Sequence, residues 1–376
     1  MKRIVVLGAG LVGKAIALDL AGRYEVTVVD IDEKNLQKVS QDRAIKTKHL
    51  DLSDTKSVIE VAQNFDLVVG ALPSSLGFRT MEAVIEAGKD MVDISFLPED
   101  ALELDEHAKS HGVTVVFDCG VAPGMSNIIL GYHNNKMKVQ KFDCMVGGLP
   151  VDRIWPYEYK APFSPMDVLE EYTRPARIVE NGKIVIKPAL SEPEFIQFDK
   201  IGTLEAFNTD GLRSLLTTMK IPYMRERTLR YPGHIELMTI LRETGFFDKN
   251  LINIKGKSIR PIDLTSKLLF PKWQLHEGDE EFTVMRIGIS GTEGNQQKRY
   301  QYDLFDKYDR TTHTSSMART TGYTCAAVVD LVLENLYSRK GVSPPEYIGA
   351  NEKCFKNIIE YLKIRNVVYQ FSESVV

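Results

Sequence analysis

The stretch "VVLGAGLVG", Val5–Gly13, decides the fold of this chain. An apolar, β-branched run leads directly into three glycines with the spacing G-x-G-x-x-G, and the sequence that follows is typical of a helix. A second strand-like run ends at Asp30, about 20 residues after the first glycine. A strand, a glycine turn, a helix and an acid in this order predict a dinucleotide-binding βαβ unit.

The glycines of this turn leave the backbone bare, and the N-terminus of the following helix offers N–H groups to a pyrophosphate. Asp30 is expected to accept hydrogen bonds from the hydroxyls of the adenosine ribose. The alternative is a tight turn that binds nothing. The residues predicted to contact the cofactor here are Gly8, Gly10, Leu11, Val12, Gly13 and Asp30.

The predicted cofactor is NAD rather than NADP. Asp30 is followed by Ile31 and Asp32, and no Arg or Lys lies next to them in the sequence. An acidic ribose site repels a 2′-phosphate, whereas a site that binds this phosphate usually offers a cation.

Residues 3–117 alternate short apolar runs with amphipathic stretches. This alternation predicts an α/β fold of the Rossmann type, with a doubly wound parallel sheet covered on both faces. Ligands of such sheets bind at the carboxyl ends of the strands. At that edge Leu72, Pro73 and Ser74 are predicted to pass near the cofactor. Asp51 either approaches the adenine or forms a helix N-cap arrangement with Ser53.

The rhythm of the sequence changes near Ile128, where longer polar strands begin. A hairpin signal at Asn181-Gly182 supports a second, α+β domain with a mixed or antiparallel sheet. Residues 317–341 are predicted to form one long amphipathic helix that ends at Gly341. The predicted domains are a dinucleotide-binding domain at 1–125, a substrate and dimerisation domain at 126–312, and C-terminal helices at 313–376 that return to the first domain.

The composition favours small molecules and copies of the chain itself as partners. Lys and Arg total 47 against 51 Asp and Glu, a formal net charge of -4, so no basic excess indicates nucleic acid or an anionic membrane. No stretch approaches the roughly 20 apolar residues of a membrane span. The four cysteines lack the spacing of a zinc site or a disulfide framework, so we expect no metal and a reducing, cytoplasmic location.

Several motifs, in order along the chain, are similar to those of the saccharopine dehydrogenase superfamily, most closely its lysine 6-dehydrogenase branch. They include "DCGVAPGMSN" (118–127), "EAFNTDGLRS" (205–214), "RYPGHIE" (230–236) and the tail "GVSPPEYIG" (341–349). The resemblance implies NAD-dependent oxidation of the ε-amine of L-lysine to ammonia and a semialdehyde that cyclises, and it favours a homodimer.

One departure from the family bears on the substrate. Glutamate-forming saccharopine enzymes carry an Asp where this chain has Ala122, which favours lysine over saccharopine. Saccharopine oxidoreduction is the alternative within enzymes. A regulatory protein that binds NAD without catalysing a reaction is the alternative from another class.

Hydride can leave only from a carbon whose nitrogen has a free lone pair, so the substrate ammonium must first lose its proton. Holding a lysine neutral at pH 7 costs roughly 4–5 kcal/mol from its reference pKa of about 10.4, and a positioned base or an apolar pocket would offset this. His234 either accepts the proton or is a structural or capping histidine. Asp93 and Asp118, each at the end of a strand, either act on the amine or nicotinamide amide or cap a turn.

The α-carboxylate of a lysine substrate needs a cationic clamp, for which a forked guanidinium is well suited. Arg213 and Arg230 are the predicted clamps, because both lie in the motifs of the second domain that carry the resemblance. The alternative for each is a structural salt bridge.

Overall fold

The computed structural model describes residues 1–41, 44–276 and 278–375. Four residues that fall within the predicted domains lie outside the described residues: Asp42, Arg43, Glu277 and Val376. The chain divides into two compact units. The first unit contains residues 1–138 and 317–369, and the second contains 139–316 and the residues after 369. The helix that begins at Met125 therefore belongs to the first unit, whereas the predicted domain boundary lay at its start.

The strands are numbered along the chain. They are β1 (Arg3–Leu7), β2 (Glu25–Asp30), β3 (Ile45–His49), β4 (Leu67–Gly70), β5 (Asp90–Asp93), β6 (Thr114–Val116), β7 (Lys138–Pro150), β8 (Ala176–Glu180), β9 (Lys183–Lys187), β10 (Glu194–Phe198), β11 (Gly202–Thr209), β12 (Tyr223–Arg230), β13 (Ile252–Ile254), β14 (Lys257–Ile259), β15 (Glu281–Glu293), β16 (Gln296–Lys307), β17 (Gly341–Ser343) and β18 (Tyr369–Val375).

The helices are numbered in the same way, and a 3-10 turn lies at Ala101–Leu104. They are α1 (Leu11–Ala21), α2 (Glu33–Val39), α3 (Thr55–Ala62), α4 (Ser74–Glu86), α5 (Asp105–Ser110), α6 (Met125–Asn134), α7 (Pro165–Thr173), α8 (Leu215–Thr218), α9 (His234–Glu243), α10 (Pro261–Trp273), α11 (Ser316–Leu333), α12 (Pro345–Gly349) and α13 (Glu352–Ile364). Of the helices in the described part of the chain, none is long and apolar enough to cross a membrane.

The first unit is built on a parallel sheet with the strand order β17-β6-β5-β4-β1-β2-β3. All the strand pairs are parallel. The strands β1, β4, β5 and β6 are almost entirely buried, and β4 is buried at every position, which explains their nearly continuous apolar runs in the sequence. β3 is exposed at four of its five positions. The order reverses direction between β1 and β4, where open α/β sheets form a ligand-binding crevice.

The second unit contains a mixed sheet with the order β10-β11-β12-β7-β15-β16-β18, to which β8 and β9 are attached. The β11–β12 and β15–β16 pairs are antiparallel, whereas β12 and β7 are parallel. Asn181 and Gly182 connect β8 and β9, with φ values of 52° and 74°. Positive φ at both central residues is the geometry of the predicted two-residue hairpin turn.

The long helix predicted at 317–341 is shorter in the structure, because α11 ends at Leu333. Gly341 does not end a helix. It begins β17, which pairs with β6 as an outer strand of the parallel sheet. A three-residue strand has too few positions for a periodic signal, so only its pairing with β6 reveals it.

Candidate active site

The first glycine turn, Gly8–Gly13, packs tightly at its two ends. A Cβ on Gly8 would lie 2.3 Å from the carbonyl oxygen of Ala71, and a Cβ on Gly13 would lie 2.1 Å from the carbonyl oxygen of Gly8. Any side chain at these two positions would collide with backbone. The spacing of the outer glycines therefore follows from the close packing of β1, α1 and the loop after β4.

The middle of the same turn is open. Gly10 is the N-cap of α1, and a Cβ there would meet no atom within 4 Å. The N–H groups of Leu11, Val12 and Gly13 find no acceptor among the described residues. Free N–H groups at a helix N-terminus, beside a bare backbone, form the kind of site that binds a pyrophosphate.

Asp30, at the end of β2, is held by the backbone on both carboxylate oxygens. The N–H of Ala9 donates to Oδ2 at 2.6 Å, and the N–H of Asp32 donates to Oδ1 at 2.7 Å. The side chain is half-buried. These bonds fix the carboxylate next to the glycine turn, where the predicted ribose contact requires it.

A basic side chain that sequence reasoning missed lies beside this acid. His49 is the register partner of Asp30 in the β2–β3 pair, and its Nε2 lies 2.8 Å from the carbonyl oxygen of Ile31. His49 is not a sequence neighbour of Asp30, so the residues that follow Asp30 do not reveal it. The alternation of residues along β3 could have pointed to His49 once the β2–β3 register was known.

The loop after β4 lies next to the glycine turn, because a Cβ on Gly8 would lie 3.5 Å from Cδ2 of Leu72. Pro73 precedes α4 and Ser74 begins it. Asp51 is exposed and accepts the N–H of Ser53 at 2.9 Å, and these bonds hold the pKa of its carboxyl below the usual value. The Asp51–Ser53 contact of the non-functional alternative is therefore present, although the N-cap of the following helix α3 is Asp54.

Asp93, at the end of β5, is fully buried. Its Oδ1 accepts the N–H of Ser95 at 2.8 Å, and its Oδ2 accepts the Ser95 hydroxyl at 3.1 Å. A Cβ on Gly70, the register partner in β4, would lie 1.8 Å from Oδ2, so the carboxyl occupies space that only glycine leaves free. Burial raises the pKa of Asp93 to about 8, although the bonds from Ser95 oppose this rise.

Asp118, just after β6, is also buried and has a φ of 51°. Its charge adds to the rise in the pKa of Asp93. The structure thus brings these two predicted acids together at the carboxyl edge of the parallel sheet. Cys119 joins them, since its N–H donates to the carbonyl oxygen of Asp93 at 2.9 Å. Burial and the two acids raise the pKa of the Cys119 thiol.

The second glycine turn, Asp118–Asn127, is closed on itself. Gly124 has a φ of 135°, and a Cβ there would lie 2.0 Å from the carbonyl oxygen of Gly120. The N–H groups of Met125 and Ser126, in the first turn of α6, donate to the carbonyl oxygens of Gly120 and Val121. These donors are therefore not available to a phosphate.

His234 begins α9 in the second unit and is buried. Its Nδ1 lies 2.8 Å from the carbonyl oxygen of Tyr157, which can only accept, so Nδ1 carries the proton. Nε2 of the neutral ring then accepts the Tyr172 hydroxyl at 3.0 Å. Burial, and next the charge of Arg230, lower the pKa of His234 to about 3. Both ring nitrogens have partners, as in a structural histidine.

Arg230 lies in the same buried cluster. Its Nη2 lies 2.6 Å from Oε2 of Glu171, its Nε donates to the Tyr172 hydroxyl at 3.0 Å, and its guanidinium carbon lies 4.5 Å from the ring centroid of Tyr159. The charge is therefore neutralised within the second unit, as the salt-bridge alternative describes. Arg213, half-buried with a φ of 52°, lies between β11 and α8.

The predicted site residues are divided between the two units. The glycine turn, Asp30, Asp93 and Asp118 lie in the first unit, and His234 and Arg230 lie together in the second. Within residues 1–41, 44–276 and 278–375, no three His, Cys, Asp or Glu side chains form a group that could hold a metal ion.

Comparison with known families covers nearly the whole chain. Residues 4–116 match the Saccharopine dehydrogenase NADP binding domain, and residues 120–367 match the Saccharopine dehydrogenase C-terminal domain. The chain belongs to the saccharopine dehydrogenase family. The superfamily resemblance predicted from the motifs is confirmed. The cofactor class of this saccharopine dehydrogenase family is a nicotinamide dinucleotide, and the matching domain is described as binding NADP, not NAD.

Among relatives of this family member, the alpha-aminoadipic semialdehyde synthase of Arabidopsis thaliana is 29% identical over 248 residues. The match covers 60% of this chain and 23% of the relative, so the chain spans about a quarter of that protein's length. The "Saccharopine dehydrogenase [NADP(+), L-glutamate-forming]" of Pyricularia oryzae is 23% identical, with 96% and 97% of the two chains covered.

A solved structure confirms the predicted fold class. The apo saccharopine dehydrogenase (L-Glu forming) of Saccharomyces cerevisiae superposes over all of both chains with a TM-score of 0.79 at 20% identity. At this identity the likeness establishes the fold, with its Rossmann-type parallel sheet and a second part containing a mixed sheet.

Proposed function

We propose that this protein is an NAD-dependent dehydrogenase that oxidises the ε-amine of L-lysine, giving ammonia and a semialdehyde that cyclises. The observation that carries the proposal is the carboxyl edge of the parallel sheet. There the open N-terminus of α1 follows β1, Asp30 ends β2, Asp93 ends β5 and Asp118 follows β6, and these four strands belong to one parallel sheet. The family match supports chemistry on an amino group.

The residues of the first turn fit a bound dinucleotide. Gly10 leaves open space, and the N–H groups that follow it are free to hold a pyrophosphate. When bound, the nicotinamide supplies the hydride acceptor. We propose that the cofactor contacts are Gly8, Gly10, Leu11, Val12, Gly13, Asp30, Leu72, Pro73 and Ser74. The contact of Asp51 with the adenine stays a prediction.

We propose NAD as the preferred form, although the matching domain and the Pyricularia relative carry NADP in their descriptions. Two backbone N–H groups hold the Asp30 carboxylate in place. A fixed anion accepts bonds from ribose hydroxyls and repels a 2′-phosphate. Fluorescence titration with both nucleotides tests this, and equal or tighter binding of NADP would contradict it.

Asp93 is the proposed proton acceptor, with Asp118 attracting the substrate ammonium. The pKa of about 8 of Asp93 lies close to a working pH, as general-base catalysis favours. The Ser95 hydroxyl, 3.1 Å from Oδ2, offers a route for the proton to the buried carboxyl. His234 stays the alternative prediction for the base. To accept a proton from the substrate, its Nε2 must first lose the hydrogen bond from the Tyr172 hydroxyl.

The α-carboxylate clamp is proposed to be Arg213 or Arg230, which both lie in motifs that carry the family resemblance. Arg230 forms an ion pair with Glu171 and lies over two tyrosine rings. Moving its charge to a substrate would leave the largely buried Glu171 without its cation, which is costly. Both arginines stay predictions for this role.

Saccharopine oxidoreduction is the second candidate, supported by the names of the relatives. Purified protein is given L-lysine or saccharopine with either nucleotide, and the absorbance of the reduced cofactor is followed. We expect reduction of NAD with lysine. Reduction with saccharopine alone would replace our proposal, and binding of NAD without reduction by either substrate would favour the regulatory protein.

The family resemblance supports a proposal for the oligomeric state, and the cysteines support one for the cellular location. We propose a homodimer, which sedimentation analysis would test, since a single species of monomer mass would contradict it. Cys119, Cys144, Cys325 and Cys354 are buried and form no disulfide among the described residues, which is compatible with a reducing cytoplasm.

A further inference from the structure

A buried polar contact joins two motifs that lie far apart in the sequence. Asn127, on α6, donates from Nδ2 to Oε2 of Glu346, on α12, at 3.1 Å. Both side chains are fully buried. Asn127 closes the second glycine turn, and Glu346 belongs to the tail motif "GVSPPEYIG". Neither residue was among the predicted site residues.

Backbone packing fixes the distance between these two helices. A Cβ on Gly131 of α6 would lie 2.1 Å from the carbonyl oxygen of Glu346. A Cβ on Gly349 of α12 would lie 2.0 Å from the carbonyl oxygen of Ile128. Because backbone contacts backbone at both positions, α12 has little freedom to shift along α6. The carboxyl of Glu346 is therefore presented to Asn127 at a fixed place.

The other end of the Asn127 amide faces the glycine turn. Its Oδ1 accepts the N–H of Gly124 at 3.4 Å and the hydroxyl of Ser126 at 3.0 Å. An amide has one donating and one accepting end. Since Glu346 takes the donating end, Oδ1 is directed towards Gly124, the residue with the φ of 135°. Glu346 thus sets which way the amide points.

The turn that Asn127 closes also carries an acid of the proposed site. Asp118 begins the turn, and the N–H of the next residue, Cys119, is bonded to the main chain of Asp93. The turn is consequently attached at its start to β5 and at its end, through Asn127, to α12. Asp118 lies next to the first of these attachments.

We propose that Glu346 is a positioning residue, which acts through Asn127 to hold the second glycine turn and with it the Asp118 carboxylate at the sheet edge. The activity measurements below rest on the proposed function. The measurements of the conformation of the turn are independent of it.

The test compares Glu346→Ala, which removes the acceptor, with Glu346→Gln, which keeps an oxygen that can accept the Asn127 donor. Glu360→Ala, at an exposed glutamate on α13, is the matched control. In Glu346→Ala we expect amide hydrogen exchange at Gly124–Ser126 to speed up at least tenfold, with exchange in α1 unchanged. Glu346→Gln and the control should exchange as the wild type does.

Activity gives the second readout. Glu346→Ala should lower kcat about tenfold or more while the KM for NAD stays within about twofold, because the first glycine turn is untouched, and Glu346→Gln should restore most of kcat. A merely structural role would instead lower the folded fraction and leave kcat per folded molecule unchanged. Wild-type exchange and kcat in a folded Glu346→Ala protein would overturn the proposal.

A reversed pair covers the case in which Glu346→Ala does not fold. In Glu346→Gln/Asn127→Asp the side chain from α12 donates, and the carboxylate from α6 still accepts the N–H of Gly124. Protected Gly124–Ser126 amides in this double variant would support the proposal, and fast exchange there would overturn it. If the wild type oxidises neither lysine nor saccharopine, the proposed function has failed, and the exchange measurements still decide the role of Glu346.

Discussion

The two glycine-rich turns of the first unit have similar compositions, but within the described part of the chain the helix N–H groups that follow them are free in one turn and hydrogen-bonded in the other. At Gly8–Gly13 the N-cap Gly10 faces open space, and three helix N–H groups have no acceptor among the described residues. At Asp118–Asn127 a Cβ on the N-cap Gly124 would lie 2.0 Å from the carbonyl oxygen of Gly120, and the first helix N–H groups are bonded within the turn. A glycine turn before a helix therefore indicates an anion site only where the N–H groups of that helix remain free.

The largest expected effect is on folding, at the closed turn. Gly124→Ala places a Cβ 2.0 Å from a carbonyl oxygen and demands a φ of 135°, which side chains rarely adopt. We expect it to lower the free energy of unfolding by at least about 3 kcal/mol, measured by urea denaturation.

Gly88→Ala is the control, because Gly88 has a φ of 67° and open space around the added Cβ. It isolates the conformational cost of about 1 kcal/mol. Equal stability of the Gly88→Ala and Gly124→Ala variants would show that the second turn is not closed by contact.

The next effect is on catalysis, at the acid to which the closed turn is bonded. Asp93→Asn keeps the shape of the side chain and removes the proposed base, so kcat should fall by about 100-fold or more. In the wild type, kcat/KM should rise with pH as Asp93 ionises around its pKa of about 8, and the variant should lack this rise. Steady-state kinetics across pH measure both, with the exposed Asp152→Asn as control.

The same variant has a signature in stability. The pKa of Asp93 is raised by folding from an unfolded value of about 3.9 to about 8. The folded state therefore binds the Asp93 proton more tightly than the unfolded state does. The resulting stabilisation is complete below the unfolded pKa and is lost as the pH rises through 8. Asp93→Asn should gain stability relative to the wild type between pH 4 and pH 8, and a constant difference would contradict the raised pKa.

A smaller effect is expected at the open turn. Gly10→Ala meets no atom within 4 Å, so the free energy of unfolding should change by less than about 1 kcal/mol. The added methyl group occupies the space proposed for the pyrophosphate, and the Kd for NAD should rise about tenfold or more, or about 1.4 kcal/mol. Gly22→Ala, at the other end of α1 and equally open, should bind NAD normally. Unchanged binding in Gly10→Ala would remove the distinction between the turns.

The smallest effect is expected at His234. Both of its ring nitrogens have hydrogen-bond partners within the protein, as the first helix N–H groups of the closed turn do. In His234→Gln, the Oε1 atom can accept the Tyr172 hydroxyl, while the bond to the Tyr157 carbonyl is lost. We expect a loss of about 1 kcal/mol in stability and an unchanged pH dependence of kcat/KM. If the rise of kcat/KM with pH disappears in His234→Gln but not in His111→Gln, His234 is instead the base.

Local sequence rules predicted much of the first unit. The glycine spacing, the acid at the end of β2 and the position of Asp93 at a strand end follow from the chain alone, because each depends on neighbours within one βαβ unit. The Asn181-Gly182 hairpin is equally local, since both turn residues need positive φ. The predicted helix end at Gly341 was wrong because β17 exists only through its pairing with β6.

The sequence by itself determined the family, through motifs that resemble those of its members. It also determined the fold class and the dinucleotide turn, which depend on periodicity and spacing along the chain. Only the tertiary structure decided that His49 lies beside Asp30, that Glu171 neutralises Arg230, and that Glu346 meets Asn127. It also decided which glycine turn is open. The physical reason is that the partner of a buried polar group is set by which elements pack together, and packing brings together residues whose separation in sequence carries no local signal.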